Sequence, residues 1–263
     1  MLIAIDCGNT DTVVGVYDGV APRGAFRHVY RFPSDVSLGA TDHRMRFQEE
    51  AEEAGLTEAE LEGAAIACVV PDALGALSEF AEAVTGAKPV VVGALGNVTG
   101  CDVLVDQAGK VGADRLVNTL AAFALYPGPS IVVDFGTATT FDVVTPDGAY
   151  AGGVIAPGVN LALSALHQAA ALLPEIQVAK PERVIGTSTN EAMQSGIYWG
   201  YVSLVEGVIA RVRAEAAGGT SIKVIATGGL APLLAEGTDA FDAVEPNLTL
   251  TGLVLNYRIN RPS

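Results

Sequence analysis

The sequence predicts an α/β protein made of two related halves, each a mixed β-sheet with flanking helices. Three observations predict it. First, Ile131 to Val144 reads as an apolar strand, a polar turn and a second strand, because β-branched residues flank a Gly and a cluster of threonines. Second, Leu2 to Gly15 says nearly the same thing: at one constant offset Asp6, Gly8 and Thr12 match Asp134, Gly136 and Thr140, and each hairpin runs on to an Asp-Gly pair, Asp18-Gly19 and Asp147-Gly148. Third, the strands and helices that follow each hairpin repeat one plan. Two such halves suggest two domains, 1–117 and 118–263, that face one ligand across a cleft.

Taken in order, residues 2–32 predict three strands, the third over Ala25 to Phe32. Asp35 to Gly55 reads as a loop and a helix, and Thr57 to Glu60 as a short acidic helical turn. Ala64 to Val70 is an unbroken apolar run stopped by Pro71, the pattern of a strand buried on both faces. Asp72 to Val84 follows as an amphipathic helix, Pro89 to Val92 as a short strand, and Asp102 to Val105 as a further strand. A helix begins at Gly112-Ala113-Asp114-Arg115, presents Leu116, Leu120 and Phe123 on one face, and bridges the halves. The second half predicts strands at 131–135, 138–145 and 149–155, a helix after Pro157-Gly158, a long helix from Asn190 to about Ala217, a strand at Ile222 to Ala226, a helix over 230–235, a strand near Phe241 to Val244 and a closing helix.

The 263 residues are half apolar and only 17% charged, which is enough to bury a large core and leaves an apolar surface suited to homo-oligomers. The net charge of −15 supplies no global basic footprint for nucleic acid or for an anionic membrane. No apolar run is long enough to span a bilayer, and Asp6 interrupts the N-terminal one, so neither a signal peptide nor a membrane span is expected. Cys7, Cys68 and Cys101 form no CxxC pair, which predicts free thiols in a reducing cytoplasm.

The polar turns are the candidates for chemistry. Amides and hydroxyls at Gly8 to Val13 and at Gly136 to Thr140 suit phosphate oxygens. Carboxylates repel phosphate, so Asp6 and Asp134 read as ligands, direct or through water, of a cation beside it; the competing reading is that each caps its own loop in an Asx turn. In Gly112-Ala113-Asp114-Arg115, an acid in a first helical turn is ordinary, but Arg115 at the positive helix end calls for an anion there, and Asp114 beside it is placed to accept a hydroxyl proton. Ser188 and Glu191 form a capping box that leaves the Thr189 hydroxyl for another partner or for water. Thr227-Gly228-Gly229 reads either as room for a nucleoside or as a helix-initiating turn. Walker A, G-x-G-x-x-G, H-E-x-x-H and Ser-elbow motifs are missing from the sequence.

Asp6-x-Gly8-Asn9-Thr10, Gly112-Ala113-Asp114-Arg115, Asp134-Phe135-Gly136-Thr137-Ala138-Thr139-Thr140, Gly152-Gly153-x-Ile155-x-Pro157-Gly158 and Ala226 to Leu233, in this order, resemble type III pantothenate kinase over essentially the whole chain. The resemblance implies duplicated ribonuclease-H-like domains of the actin-like ATPase and sugar kinase superfamily, and transfer of a phosphoryl group from ATP to pantothenate. It implies that Asp6, Gly8, Asn9, Thr10, Asp11, Thr12 and Val13 form the first phosphate loop and that Thr137 contacts ATP. It implies a monovalent cation, K+ or NH4+, on Asp134 and Mg2+ held through water by Asp6. It implies further that Gly112, Ala113, Asp114 and Arg115 contact pantothenate, with Asp114 the proton acceptor, and that Thr189 reaches pantothenate from the other subunit of a homodimer. Two departures bear on the substrate pocket: Val105 stands in the register of a pocket-shaping Tyr, and Ala170 to Pro174 replaces a Thr-Ala-Lys-Leu-Pro pattern. They leave two alternatives open, a kinase of another small hydroxy acid or sugar and a non-catalytic nucleotide-binding regulator.

Overall fold

The computed structural model describes residues 1–19, 24–170, 173–216 and 221–261. The chain divides into two compact units, one of Met1–Pro127, Gly148–Tyr150 and Leu248–Ser263, the other of Gly128–Asp147 and Ala151–Asn247.

The first unit opens with strands β1 (Leu2–Cys7), β2 (Asp11–Asp18) and β3 (Ala25–Pro33), then α1 (Ala40–Glu53), β4 (Gly63–Cys68), α2 (Pro71–Thr85) and β5 (Val90–Val91). Its sheet runs β3-β2-β1-β4-β5, with β2 antiparallel to β1 and β3, and β4 parallel to β1 and β5. Successive β1 residues enter different cores. Ile3 and Ile5 join Phe47 of α1 and Leu77 and Phe80 of α2; Leu2 and Ala4 join Val117 of α3 (Ala113–Leu125) and Leu253, Val254 and Tyr257 of the chain's last helix. Both faces are therefore covered, as the unbroken apolar run of β4 requires.

The second unit repeats the plan with β6 (Ser130–Phe135), β7 (Ala138–Val144), β8 (Tyr150–Pro157), α4 (Val159–Ala169), the long α5 (Thr189–Ala216), β9 (Lys223–Gly228), α6 (Ala231–Ala235) and β10 (Ala243–Val244). Its sheet, read from β8, is β8-β7-β6-β9-β10, strand for strand the order of the first. Met193, Ile197, Tyr201, Val205 and Ile209 of α5, spaced by one helical turn, are buried in the core of this unit. Both Asp-Gly pairs hold their glycine at positive φ, 111° for Gly19 and 86° for Gly148, the region a side chain resists.

Two expectations change. The division does not fall at 117/118: α3 lies wholly in the first unit, and the closing helix α7 (Leu248–Asn260) belongs there too. The reason is packing, since Gly252 of α7 lets the two helix backbones approach so closely that any side chain at 252 collides with the backbone of Val117. The strand expected over Asp102 to Val105 is an isolated bridge between Val103 and Tyr150, because only Leu104 N–H to Tyr150 O and Tyr150 N–H to Asp102 O bond there, each at 2.8 Å. The helix end expected at Ala217, and Ala171 and Leu172, lie outside the described residues.

Candidate active site

In the first hairpin Cys7 pairs with Thr12, so the turn is Gly8 to Asp11; in the second Phe135 pairs with Thr139, so the turn is Gly136 to Ala138. Each turn is closed by its glycine N–H, Gly8 to Asp11 O and Gly136 to Ala138 O, both at 3.0 Å. The second turn is shorter by one residue, so the structural counterpart of Thr12 is Thr139, one residue before the Thr140 that the constant offset matched. Both of these threonines are buried.

Around the first turn Asn9 and Thr10 are exposed, while Asp6, Gly8, Asp11 and Val13 are half-buried. Arg31 of β3 holds the Asp11 carboxylate at 3.2 Å. Ser34, just beyond β3, donates its hydroxyl to Gly8 O at 2.7 Å, lies 2.9 Å from the Thr12 hydroxyl, and donates its backbone N–H to Thr10 O at 2.8 Å. Thr12 thus turns its hydroxyl to Ser34.

In the same unit, Gly112 is the N-cap of α3, and a side chain there collides with the Asp114 carboxylate. Asp114 Oδ1 accepts the Arg115 N–H at 2.8 Å. Burial pushes the Asp114 carboxyl above the ordinary aspartate range, and the Arg115 amide and guanidinium oppose that shift without cancelling it. The Arg115 guanidinium lies 5.4 Å above the ring of Tyr150, a cation–π contact that orients it. Val105 is half-buried in the irregular segment that Tyr150 bridges. A positioned carboxylate of raised basicity next to an oriented guanidinium can accept a proton from the hydroxyl of an anionic substrate.

In the second unit, Gly136 and Thr137 are exposed and Asp134 is half-buried. The turn is pinned by Gly158, the N-cap of α4, whose N–H donates to Thr137 O at 3.1 Å and whose place no side chain can take. Tyr201 of α5 holds that helix start by donating to Gly158 O at 3.0 Å. Asp134 pairs across the sheet with Thr140 on one side and Thr227 on the other, which sets these side chains on one face. Thr140 donates to the buried Asp142 at 3.0 Å, and the buried Thr227 hydroxyl has no hydrogen-bond partner. Gly228, at φ 89°, leaves room beside the Asp134 carboxylate. Carboxylate and hydroxyl oxygens of this kind fit a hard cation. Among the described residues there is no group of three or more His, Cys, Asp and Glu that could hold a metal.

Thr189 opens α5 and is exposed. The cap beside it is half of the expected box. Glu191 N–H donates to the Ser188 hydroxyl at 3.3 Å, but the Glu191 carboxylate reaches one residue further back, accepting from the Thr187 N–H at 2.6 Å and hydroxyl at 2.9 Å. Thr189 takes no part in it. A cavity of about 460 Å³ in this unit is lined by Asn160, Ser164 and His167 of α4, by Glu175 and Gln177, and by Leu230, which directly follows Gly228-Gly229. Ser34, Tyr150 and Tyr201 were not singled out from the sequence. They carry no motif and act on segments far from them in the chain.

The family model of type III pantothenate kinase matches residues 2–211. The type III pantothenate kinase of Rhodospirillum rubrum is 46% identical over 262 residues, covering 100% of both chains. Among solved structures, a candidate Baf family transcriptional activator from Campylobacter jejuni superposes with a TM-score of 0.58 at 16% identity, covering 98% of each chain. A candidate 2-dehydro-3-deoxygalactonokinase from Sinorhizobium meliloti superposes with a TM-score of 0.57 at 12% identity, covering 100% of this chain and 98% of its own. The last two show the fold alone, that of two mixed sheets with flanking helices. The match over the whole length shows more: the chain belongs to the type III pantothenate kinase family.

Proposed function

We propose that the protein phosphorylates pantothenate with ATP to give 4′-phosphopantothenate, the first step towards coenzyme A. The observation that carries this reading, beside the family, is Asp114: a half-buried carboxyl of raised basicity, fixed by its own helix end next to an oriented Arg115. Arg115 takes the pantothenate carboxylate, Gly112 and Ala113 approach the substrate through backbone, and Asp114 receives the hydroxyl proton as that oxygen bonds to the γ-phosphorus and ADP leaves. Little covalent chemistry is asked of the protein, so positioning and charge neutralisation dominate.

Each turn suits phosphate oxygens of ATP, the first through the amides of Gly8 to Val13 and the hydroxyl of Thr10, the second through Thr137. The cavity that begins at Leu230 has room for the nucleoside. Asp134, with the Thr227 hydroxyl beside it, suits K+ or NH4+, and Asp6 suits Mg2+ held through water; such cations, when bound, neutralise phosphate charge.

Homodimer formation is supported by the apolar surface of the second unit, where Ile155 of β8 is 65% exposed, Leu161 of α4 54% and Ile185 81%. In that dimer Thr189 of one subunit completes the pantothenate pocket of the other. No described helix is long and apolar enough to cross a membrane. The net charge of −15 favours small-molecule partners over nucleic acid or an anionic membrane, and the free thiols of Cys7, Cys68 and Cys101 suit the cytoplasm. The test is a coupled kinase assay with pantothenate and a panel of hydroxy acids and sugars, run with and without potassium. Pantothenate should be the preferred acceptor and potassium should raise the rate. ATP turnover indifferent to pantothenate would overturn the reading.

A further inference from the structure

We infer that Ser34 is a positioning residue for ATP: its side chain sets the shape of the first phosphate turn from outside it. This rests on reading that turn as a phosphate site. The turn closes on itself through Gly8 N–H to Asp11 O at 3.0 Å, and Asn9 and Thr10 at its tip are exposed. Ser34 adds support from outside the turn. Its backbone N–H grips Thr10 O at 2.8 Å, which fixes where its side chain stands. Its hydroxyl proton goes to Gly8 O at 2.7 Å, so the 2.9 Å contact with Thr12 must run the other way, with Thr12 donating and Ser34 accepting.

One hydroxyl therefore ties the first residue of the turn to the first residue beyond it, while the amide beneath it ties the tip. The consequence is directional. With Gly8 O engaged by Ser34 and Thr10 O by its amide, two carbonyls of the turn are held away from a phosphate that they would repel, and the amides between them are left to face it. The second turn gets the same service from Gly158 N–H on Thr137 O. Ser34 is thus the first unit's counterpart of a helix N-cap in the second. It touches no reacting atom, and its effect passes through the turn.

The experiment uses the full chain with Ser34→Ala, Ser34→Thr and, as a control on the turn itself, Thr10→Ala, measuring KM for ATP, KM for pantothenate, kcat and the melting temperature. Ser34→Ala should raise KM for ATP about five- to tenfold, the scale of losing one or two hydroxyl hydrogen bonds, with KM for pantothenate and kcat within about twofold of the parent. Ser34→Thr keeps the hydroxyl and should return KM for ATP to within about threefold of the parent. Amide exchange over residues 8–11 should speed up in Ser34→Ala and not in Ser34→Thr. An unchanged KM for ATP in Ser34→Ala would overturn the inference, as would a collapse of melting temperature together with a rise in both KM values, which marks a merely structural serine. If Thr10→Ala also leaves KM for ATP unchanged, the phosphate reading of the turn fails with it; if Thr10→Ala raises it and Ser34→Ala does not, only the role of Ser34 is lost.

Discussion

Asp114 answers to two opposed demands, and their opposition can be measured. In the proposed role of proton acceptor it must be ionised; as a partly desolvated group it is pushed towards its neutral form, with a folded pKa above the ordinary 3.8. A carboxyl raised in the folded state contributes stability that is fully present below the unfolded value and is lost as pH rises through the folded one. At neutral pH the ionised Asp114 therefore costs stability. Asp114→Asn should melt at a higher temperature than the parent at pH 7 and lose that advantage as pH falls towards 3.8. The same substitution should lower kcat about 10²- to 10⁴-fold with ATP binding intact. In the parent, kcat/KM should fall on the acid side with a midpoint above 3.8. Thermal melts, titration of ATP binding and a pH–rate profile check all three; near-parental turnover in Asp114→Asn would remove the residue from its role.

At the scale of elements, the paired hairpins were legible because glycine and hydroxyl clusters interrupt apolar strands, and because the interruption occurs twice. Most helices and strands lie within a few residues of expectation for the same reason, since apolar periodicity fixes them locally. What the sequence concealed was set by partners far along the chain. A constant offset matched Thr12 to Thr140, whereas the strand registers make Thr139 the counterpart of Thr12, because the second turn is one residue shorter and strand pairing absorbs the difference. Ser34, Tyr150 and Tyr201 were invisible because each acts on a turn or helix end from another element. Thr227 shows how such an element-level view predicts. Its buried hydroxyl without a partner is an expense of about 1–3 kcal/mol that a valine of the same shape avoids. Thr227→Val should therefore be as stable as the parent or more so, yet, if that oxygen completes the proposed cation site of Asp134, lose most of the proposed activation by potassium. Rates across a KCl series, with melting temperatures beside them, decide it. An unchanged potassium response would detach Thr227 from the cation.

For the whole molecule, the informative departure is the return of α7 to the first unit. The helix fills one face of the first sheet, with Leu250, Leu253, Val254 and Tyr257 buried against Leu2, Ala4 and Ala65, and it packs backbone to backbone on α3, the helix whose first turn carries Asp114. Nothing in a left-to-right reading announces this, because an apolar closing helix is equally at home on either sheet. It follows that the unit bearing the first polar turn cannot complete its core until residues 248–260 have been made. Leu253 is fully buried, so Leu253→Ala should cost about 2–5 kcal/mol, through lost transfer energy and the cavity left behind. The location of the damage matters more than its size. If α7 belongs to the first unit, amide exchange should accelerate along β1 and β4 and in the first turns of α3, with β6 and β9 little changed. Leu234→Ala, at a buried site in the core of the second unit, should give the reverse pattern. Faster exchange confined to β6 and β9 in Leu253→Ala would instead assign the closing helix to the second unit, as a division at 117/118 supposes.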